Sequence, residues 1–150
     1  MPQWDWIIAP LRDRFQEDLI SIVVFGSFAR GEAKEGSDLD ILVILRELPQ
    51  GIDRLRLSAK VSSMLRPPPE FPKTVSPVVM TVREIERHPP ILLDMVDDSI
   101  ILYDRERFFE RILRELRERL RELGAVKVKV NGGWYWILKP DAELGEVVEI

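Results

Sequence analysis

The sequence predicts one α/β domain, and three observations carry that reading. Near-continuous apolar runs at 19–25 and 38–45, rich in Val, Ile and Leu, read as buried strands. Around them, apolar residues recur at helical spacing, most regularly over 105–123. Near the C-terminus Val126, Val128 and Val130 alternate with lysines, residues 131–133 turn, and Trp134, Trp136 and Leu138 alternate in return. That is a β-hairpin. The 150 residues suit one core, and 1–150 reads as a single domain with no internal repeat.

Each element has a local reason. Trp4, Ile7, Ile8, Leu11, Phe15 and Leu19 share a helical stripe, so 4–18 reads as an amphipathic helix that Pro10 kinks or restarts. Trp4 lies on that stripe and reads as core. Residues 27–31 form a helical turn after the first strand, with Arg30 one turn beyond Ser27. Pro49-Gln50-Gly51 ends the second strand's exit. Ile52, Leu55, Val61, Met64 and Leu65, with Leu57 nearby, then suggest a helix to about Arg66, with Arg54, Arg56 and Lys60 on a solvated face. Pro67-Pro68-Pro69 forces an extended linker.

Residues 73–81 read as a strand, and Pro77 suits an edge or irregular one. Thr81 with Glu84 forms a capping box that opens a short helix. His88, beside Pro89-Pro90, reads as a surface or loop histidine. A second short helix spans 90–97, where Asp94, Asp97 and Asp98 read as exposed acids. Residues 99–103 form a strand, and Asp104 caps the helix that follows. Phe109, Ile112, Leu113, Leu116, Leu120 and Leu123 make that helix's apolar stripe, which Gly124 stops.

Composition narrows the function classes. The absence of cysteine excludes disulfides, thiolate zinc sites and cysteine nucleophiles. No stretch approaches the roughly 20 apolar residues of a membrane span, and no signal core opens the chain, so the expected setting is cytoplasmic. A formal net charge of -4 disfavours nonspecific nucleic-acid binding. The 32% charged residues, Arg-rich helices and 11 prolines fit a thermophilic source.

The chemistry concentrates between 23 and 45. An apolar strand ends at Gly26-Ser27. Ten residues later a second strand opens with Asp38 and Asp40. Two apart on a strand, those carboxylates share one face, while Leu39, Ile41, Val43 and Leu45 take the other. Side-by-side carboxylates repel unless a cation lies between them. Oxygen ligands without His or Cys suit a hard ion, Mg2+ or Mn2+. Gly26 leaves room for a phosphate, and Ser27 can open a helical turn that favours an anion. Ser37, in the Gly36-Ser37 turn, can orient Asp38.

This stretch resembles the signature of the DNA polymerase beta-like nucleotidyltransferase superfamily: Gly-Ser, ten residues, Asp-x-Asp. It most resembles the minimal nucleotidyltransferases (MNT), many of which pair with helical HEPN-domain proteins as antitoxins. The resemblance implies a nucleotidyltransferase fold: a mixed half-open sheet with helices mainly on one face, a core at about 19–104, and an added C-terminal helix and hairpin at 105–139. It implies transfer of a nucleoside monophosphate, AMP from ATP first, to a hydroxyl of a protein or small molecule. Asp38 and Asp40 would be the catalytic metal ligands, with Mg2+ or Mn2+. Gly26, Ser27, Arg30 and Ser37 would hold ATP or another nucleoside triphosphate. The partners implied are that nucleotide and a HEPN-domain protein; a homo-oligomer stays open. One departure bears on catalysis. Active members usually carry a third carboxylate on the strand read here at 73–81. This run has no acid, and Ser76 is the expected occupant of the vacated position. The alternative function is therefore a catalytically weakened, nucleotide-binding antitoxin or partner subunit.

Overall fold

The computed structural model describes residues 2–150. Four strands form a mixed sheet in the order β3-β2-β1-β4. β1 (Leu19–Phe25) lies in the middle. It runs antiparallel to β2 (Leu39–Leu45) and to β4 (Ile100–Asp104). β2 runs parallel to β3 (Val75–Thr81). Every residue of β1 is buried, which is why its sequence is a near-continuous apolar run, interrupted only by Ser21, rather than an alternation.

β2 sorts the core into two layers. Leu39, Ile41, Val43 and Leu45 pack with Ile7, Leu11 and Phe15 of α1 (Asp5–Phe15) and with Leu57 and Val61 of α3 (Arg54–Met64). Leu42 and Ile44 point the other way. They meet Ile85 of α4 (Val82–Glu86) and Phe109, Ile112, Leu113, Leu116 and Leu120 of α5 (Phe108–Leu123). The longer helices before β4 thus lie on one face, in keeping with the nucleotidyltransferase pattern. The C-terminal helix α5 covers the other, so the sheet is a middle layer. α2 (Gly26–Ala29) is a single turn at the end of β1.

Several local readings change with the structure. The helix expected over 4–18 stops at Phe15, because Gln16 adopts φ 48 and a 3-10 turn follows; Pro10 does not end it. In α3 the buried positions are Leu57 and Val61, with Leu65 just beyond. Leu55 is 82% exposed and is not core. Arg54 lies on the expected exposed face, with Arg56 and Lys60, but it is not free there. Its guanidinium donates to both carboxylate oxygens of Glu84 (3.0 and 2.8 Å) and to the Val79 carbonyl (2.6 Å). Burial alone would raise the Glu84 carboxyl. Hydrogen bonds from Thr81 and Arg54 outweigh it and hold that carboxyl below its ordinary value. The capping box between Thr81 and Glu84 is present.

His88 is not a surface residue. Its side chain is largely enclosed, with Nδ1 2.9 Å from the Ile150 backbone oxygen and Nε2 3.7 Å from Glu115. It ties the C-terminal tail to the body. Asp104 caps α5 across a 3-10 turn, accepting from the N–H groups of Phe109 (2.8 Å) and Glu110 (3.1 Å). It also accepts from Ser21 Oγ (2.7 Å), the one buried polar side chain among the described residues. Ser21 lies at a register slip between β1 and β2. The hairpin, β5 (Val126–Val130) and β6 (Gly133–Ile137), forms a second sheet.

Candidate functional site

The site begins where β1 runs out. Phe25 is extended and pairs with Asp40 across the β1–β2 ladder. The chain then turns sharply at Gly26, whose φ of 75 falls in the left-handed region that glycine tolerates. A Cβ at Gly26 would lie 2.3 Å from Asp40 Oδ2. The glycine is therefore what admits the Asp40 carboxylate against the backbone of the turn. Ser27 and Arg30 follow on α2 and the residue that closes it, with the Arg30 N–H bonded to the Gly26 carbonyl (3.1 Å).

A pocket of about 400 Å³ opens here, lined by Phe25, Gly26, Ser27, Arg30, Asp40, Asp94, Gly133 and Trp134. Three of the expected nucleotide-binding residues and one of the two expected metal ligands thus share one cavity. Asp38 lies just before β2 and is exposed; it is not among the residues that line this pocket. The carboxyl of Asp40 is raised above its ordinary value, first by burial and then by the Asp38 charge, with Asp94 adding to it. Arg30 opposes the shift without cancelling it. Asp94 is raised too, by burial, against the pull of Arg30 and Lys127. Negative charge is thus in excess at this end of the sheet. Two oxygen-donor residues with uncompensated charge fit a hard divalent cation. Asp38 and Asp40 are the residues that would hold it.

Ser37 is placed elsewhere. Its hydroxyl accepts from the Lys34 N–H (2.9 Å) and closes the turn before β2. It lines a different pocket, of about 570 Å³, with Phe28, Lys34 and Phe71 among its neighbours. On β3, Ser76 is the register partner of Asp40, and paired residues share a face of the sheet. No acid stands in that strand. Among the described residues, no three or more His, Cys, Asp or Glu side chains converge as a metal site.

Two lining residues carried no local signal. Asp94 ends a 3-10 turn, Pro90–Asp94, far along the chain from Asp40, and only the sheet's layering brings it across the cleft. Trp134 enters from the hairpin. Its alternation with Trp136 predicted a strand, not where the strand would dock.

The fold and the cleft define a nucleotide-handling protein, and comparison makes the class definite. The chain belongs to the nucleotidyltransferase domain family, whose model matches residues 5–100. A putative protein adenylyltransferase of Methanocaldococcus jannaschii is 29% identical over 133 residues, covering 87% of this chain and 89% of that protein. Among solved structures, a spectinomycin adenyltransferase from Enterococcus faecialis, with ATP and spectinomycin, shares the fold at TM-score 0.54. It is 17% identical, covering 81% of this chain and 66% of that one. A chain from the complex of a tri-AMPylated Shewanella oneidensis HEPN toxin with its MNT antitoxin aligns at TM-score 0.50. It is 21% identical, with coverage of 81% and 87%. Among the described residues no helix is long and apolar enough to cross a membrane.

Proposed function

We propose that this protein transfers AMP from ATP to a hydroxyl group of a partner protein, with Mg2+ or Mn2+ held by Asp38 and Asp40. The observation that carries the reading is the Asp40 carboxylate pressed against the Gly26 turn, with Ser27 and Arg30 in the same pocket. In the transfer, the acceptor oxygen forms a bond to the α-phosphorus and the bond to the leaving pyrophosphate breaks. The divalent ion would offset charge on the phosphates. Gly26 lets phosphate reach the backbone, the Ser27 hydroxyl can donate to it, and Arg30 supplies a fixed positive charge. The likeness to the M. jannaschii putative protein adenylyltransferase supports AMP as the transferred group and a protein as acceptor. The likeness to the MNT antitoxin complex is the reason to propose a HEPN-domain protein as partner. We place the reaction in the cytoplasm, where ATP and Mg2+ are supplied.

One observation favours a second reading. Ser76 occupies the position beside Asp40 where a third carboxylate would complete a two-metal site. A site with two carboxylates would hold the nucleotide-bound metal better than the one that activates the acceptor. The protein would then bind Mg-ATP but transfer AMP weakly, serving its partner as a nucleotide-binding antitoxin subunit.

The test is incubation with α-labelled ATP, GTP, CTP or UTP and Mg2+ or Mn2+, with and without a HEPN-domain protein. Label on a protein product establishes transfer and the base together. Calorimetric binding of Mg-ATP without label transfer selects the second reading. Asp38→Asn and Asp40→Asn should each abolish metal-dependent binding; unchanged affinity in both would remove these residues from the site.

A further inference from the structure

The pocket at the end of β1 has two kinds of wall. Gly26, Ser27, Arg30, Asp40 and Asp94 supply charge and hydrogen bonds. The remaining wall comes from the C-terminal hairpin, outside the residues matched by the family model. Phe25 is buried and shows little of its ring. Trp134 is therefore the lining residue with a broad flat apolar surface, and it is only half-buried. A site for phosphates and a metal alone has no use for an indole.

The indole is also fixed in place. In the β5–β6 register Trp134 pairs with Lys129 and Trp136 pairs with Lys127, so these four side chains share one face of the hairpin. That face turns inward: Trp136 packs into the core layer beneath α5. Lys127 Nζ lies 4.2 Å from the Trp134 ring centroid and 3.0 Å from Asp97 Oδ2. The ammonium occupies one of the indole's two faces while anchored to the body, which holds the ring against rotation. Gly132, at φ 82, makes the tight turn that delivers Gly133 and Trp134 to the pocket. Trp134 also borders an adjoining pocket of about 430 Å³ shared with Ser27, Arg30, Lys34 and Lys129. It stands directly beside the phosphate-binding turn.

We propose that Trp134 is the base platform of this site, stacking on the purine of a nucleoside triphosphate whose phosphates lie on Gly26, Ser27 and Arg30. The proposal rests on the nucleotide reading above and adds to it a specificity residue from the C-terminal extension. Aromatic stacking needs only a π-face, and it grows with ring area. The platform therefore favours ATP and GTP over CTP and UTP, and it does not by itself separate adenine from guanine.

The test uses the full chain and calorimetry with three Mg2+ complexes: ATP, CTP and inorganic tripolyphosphate. The unmodified protein should bind ATP more tightly than CTP, and CTP more tightly than tripolyphosphate. Trp134→Ala should weaken ATP about tenfold, the size of one base–aromatic stack, and leave tripolyphosphate unchanged. Trp134→Phe keeps an aromatic ring in the hairpin and should restore most of the ATP affinity. Equal affinity of the unmodified protein for ATP and tripolyphosphate would overturn the platform and leave the phosphate site standing. So would Trp134→Ala, folded by circular dichroism, binding ATP as tightly as the parent. No binding of any of the three complexes by the unmodified protein would overturn the nucleotide reading itself, and this proposal with it.

Discussion

The central strands and the C-terminal hairpin obey the same period and solve opposite problems. In β2 the apolar residues face inward on both sides of the sheet, and the charged residue Asp40 lies at the strand's start, where the cleft opens. In the hairpin the pattern is inverted. Val126, Val130, Tyr135 and Ile137 are exposed, while Lys127, Trp134 and Trp136 turn toward the body. Alternation fixes that two faces exist; it does not say which one is covered. For β2 the neighbours are a fully buried, largely apolar β1 and two helical layers. For the hairpin the neighbour is an acidic pocket edge, where Lys127 finds Asp97. A lysine that faces a carboxylate and an indole can outcompete a valine for the inner face.

Truncation in the core should show the contrast most strongly. Ile41 is fully buried between β1 and β3. Ile41→Ala should cost about 2–5 kcal/mol in urea unfolding, from lost burial and the cavity left behind. A cost below about 1 kcal/mol would mean that this layer repacks freely. Gly26→Val comes next. A branched residue at φ 75 is strained by about 1–3 kcal/mol, and its Cβ would meet Asp40 Oδ2. Mg-ATP binding should be lost with both aspartates still present. A folded variant that binds normally would reduce the Gly-Ser turn to a connection.

These two residues also mark how far the sequence could be read. The strand bearing Ile41 and the turn at Gly26 were legible because their constraints are local: a near-continuous apolar run and a glycine at a strand end. Asp94 was not legible. It reaches the pocket only because a 3-10 turn after β3 lies over the Asp40 side of the sheet. His88 lies in a loop, one of the two expected settings, but its enclosure was not legible, since its partner is Ile150. Leu55 shows the limit of counting apolar residues: Leu57 and Val61 set the buried face of α3, and Leu55 falls off it. Ser37 was placed next to Asp38 by sequence, but its hydroxyl turns back to Lys34.

Asp104 joins the central sheet to the helix that leads to the hairpin, and its loss should rank third. The side chain accepts from buried Ser21 Oγ on β1 and from two N–H groups opening α5. Asp104→Ala leaves the hydroxyl and both amides without that partner, at a cost of about 1–3 kcal/mol. A shift in the urea midpoint worth less than about 0.5 kcal/mol would show that α5 is held by its apolar stripe alone. Asp40→Asn should act in the opposite direction. Its carboxyl is raised by burial and by Asp38, so the folded protein holds that proton more tightly than the unfolded chain. The resulting stability is full below the unfolded value and is lost as pH rises through the raised folded value. At pH 7 without metal the charged form destabilises the fold, and Asn relieves it. The expected gain is about 1–4 °C in Tm at pH 7, vanishing below the ordinary carboxylate range. A variant that melts below its parent at pH 7 would show that the carboxylate is already compensated.

The smallest effect is the sharpest test of the inverted hairpin. Ile137 pairs with Val126 on the outer face and is 40% exposed. The same change that is costly at Ile41 should therefore be almost free here: Ile137→Ala is expected within about 0.5 kcal/mol of the parent in urea unfolding. The inner face supplies what holds the hairpin, through Trp136 in the core layer and Lys127 on Asp97, and neither is touched by the substitution. A loss of 2 kcal/mol or more would mean that the valine face is covered in solution. The contrast between β2 and the hairpin would then collapse, because both strands would bury their apolar side. A near-zero change beside a large one at Ile41 would establish that two strands of the same side-chain period are held by different faces.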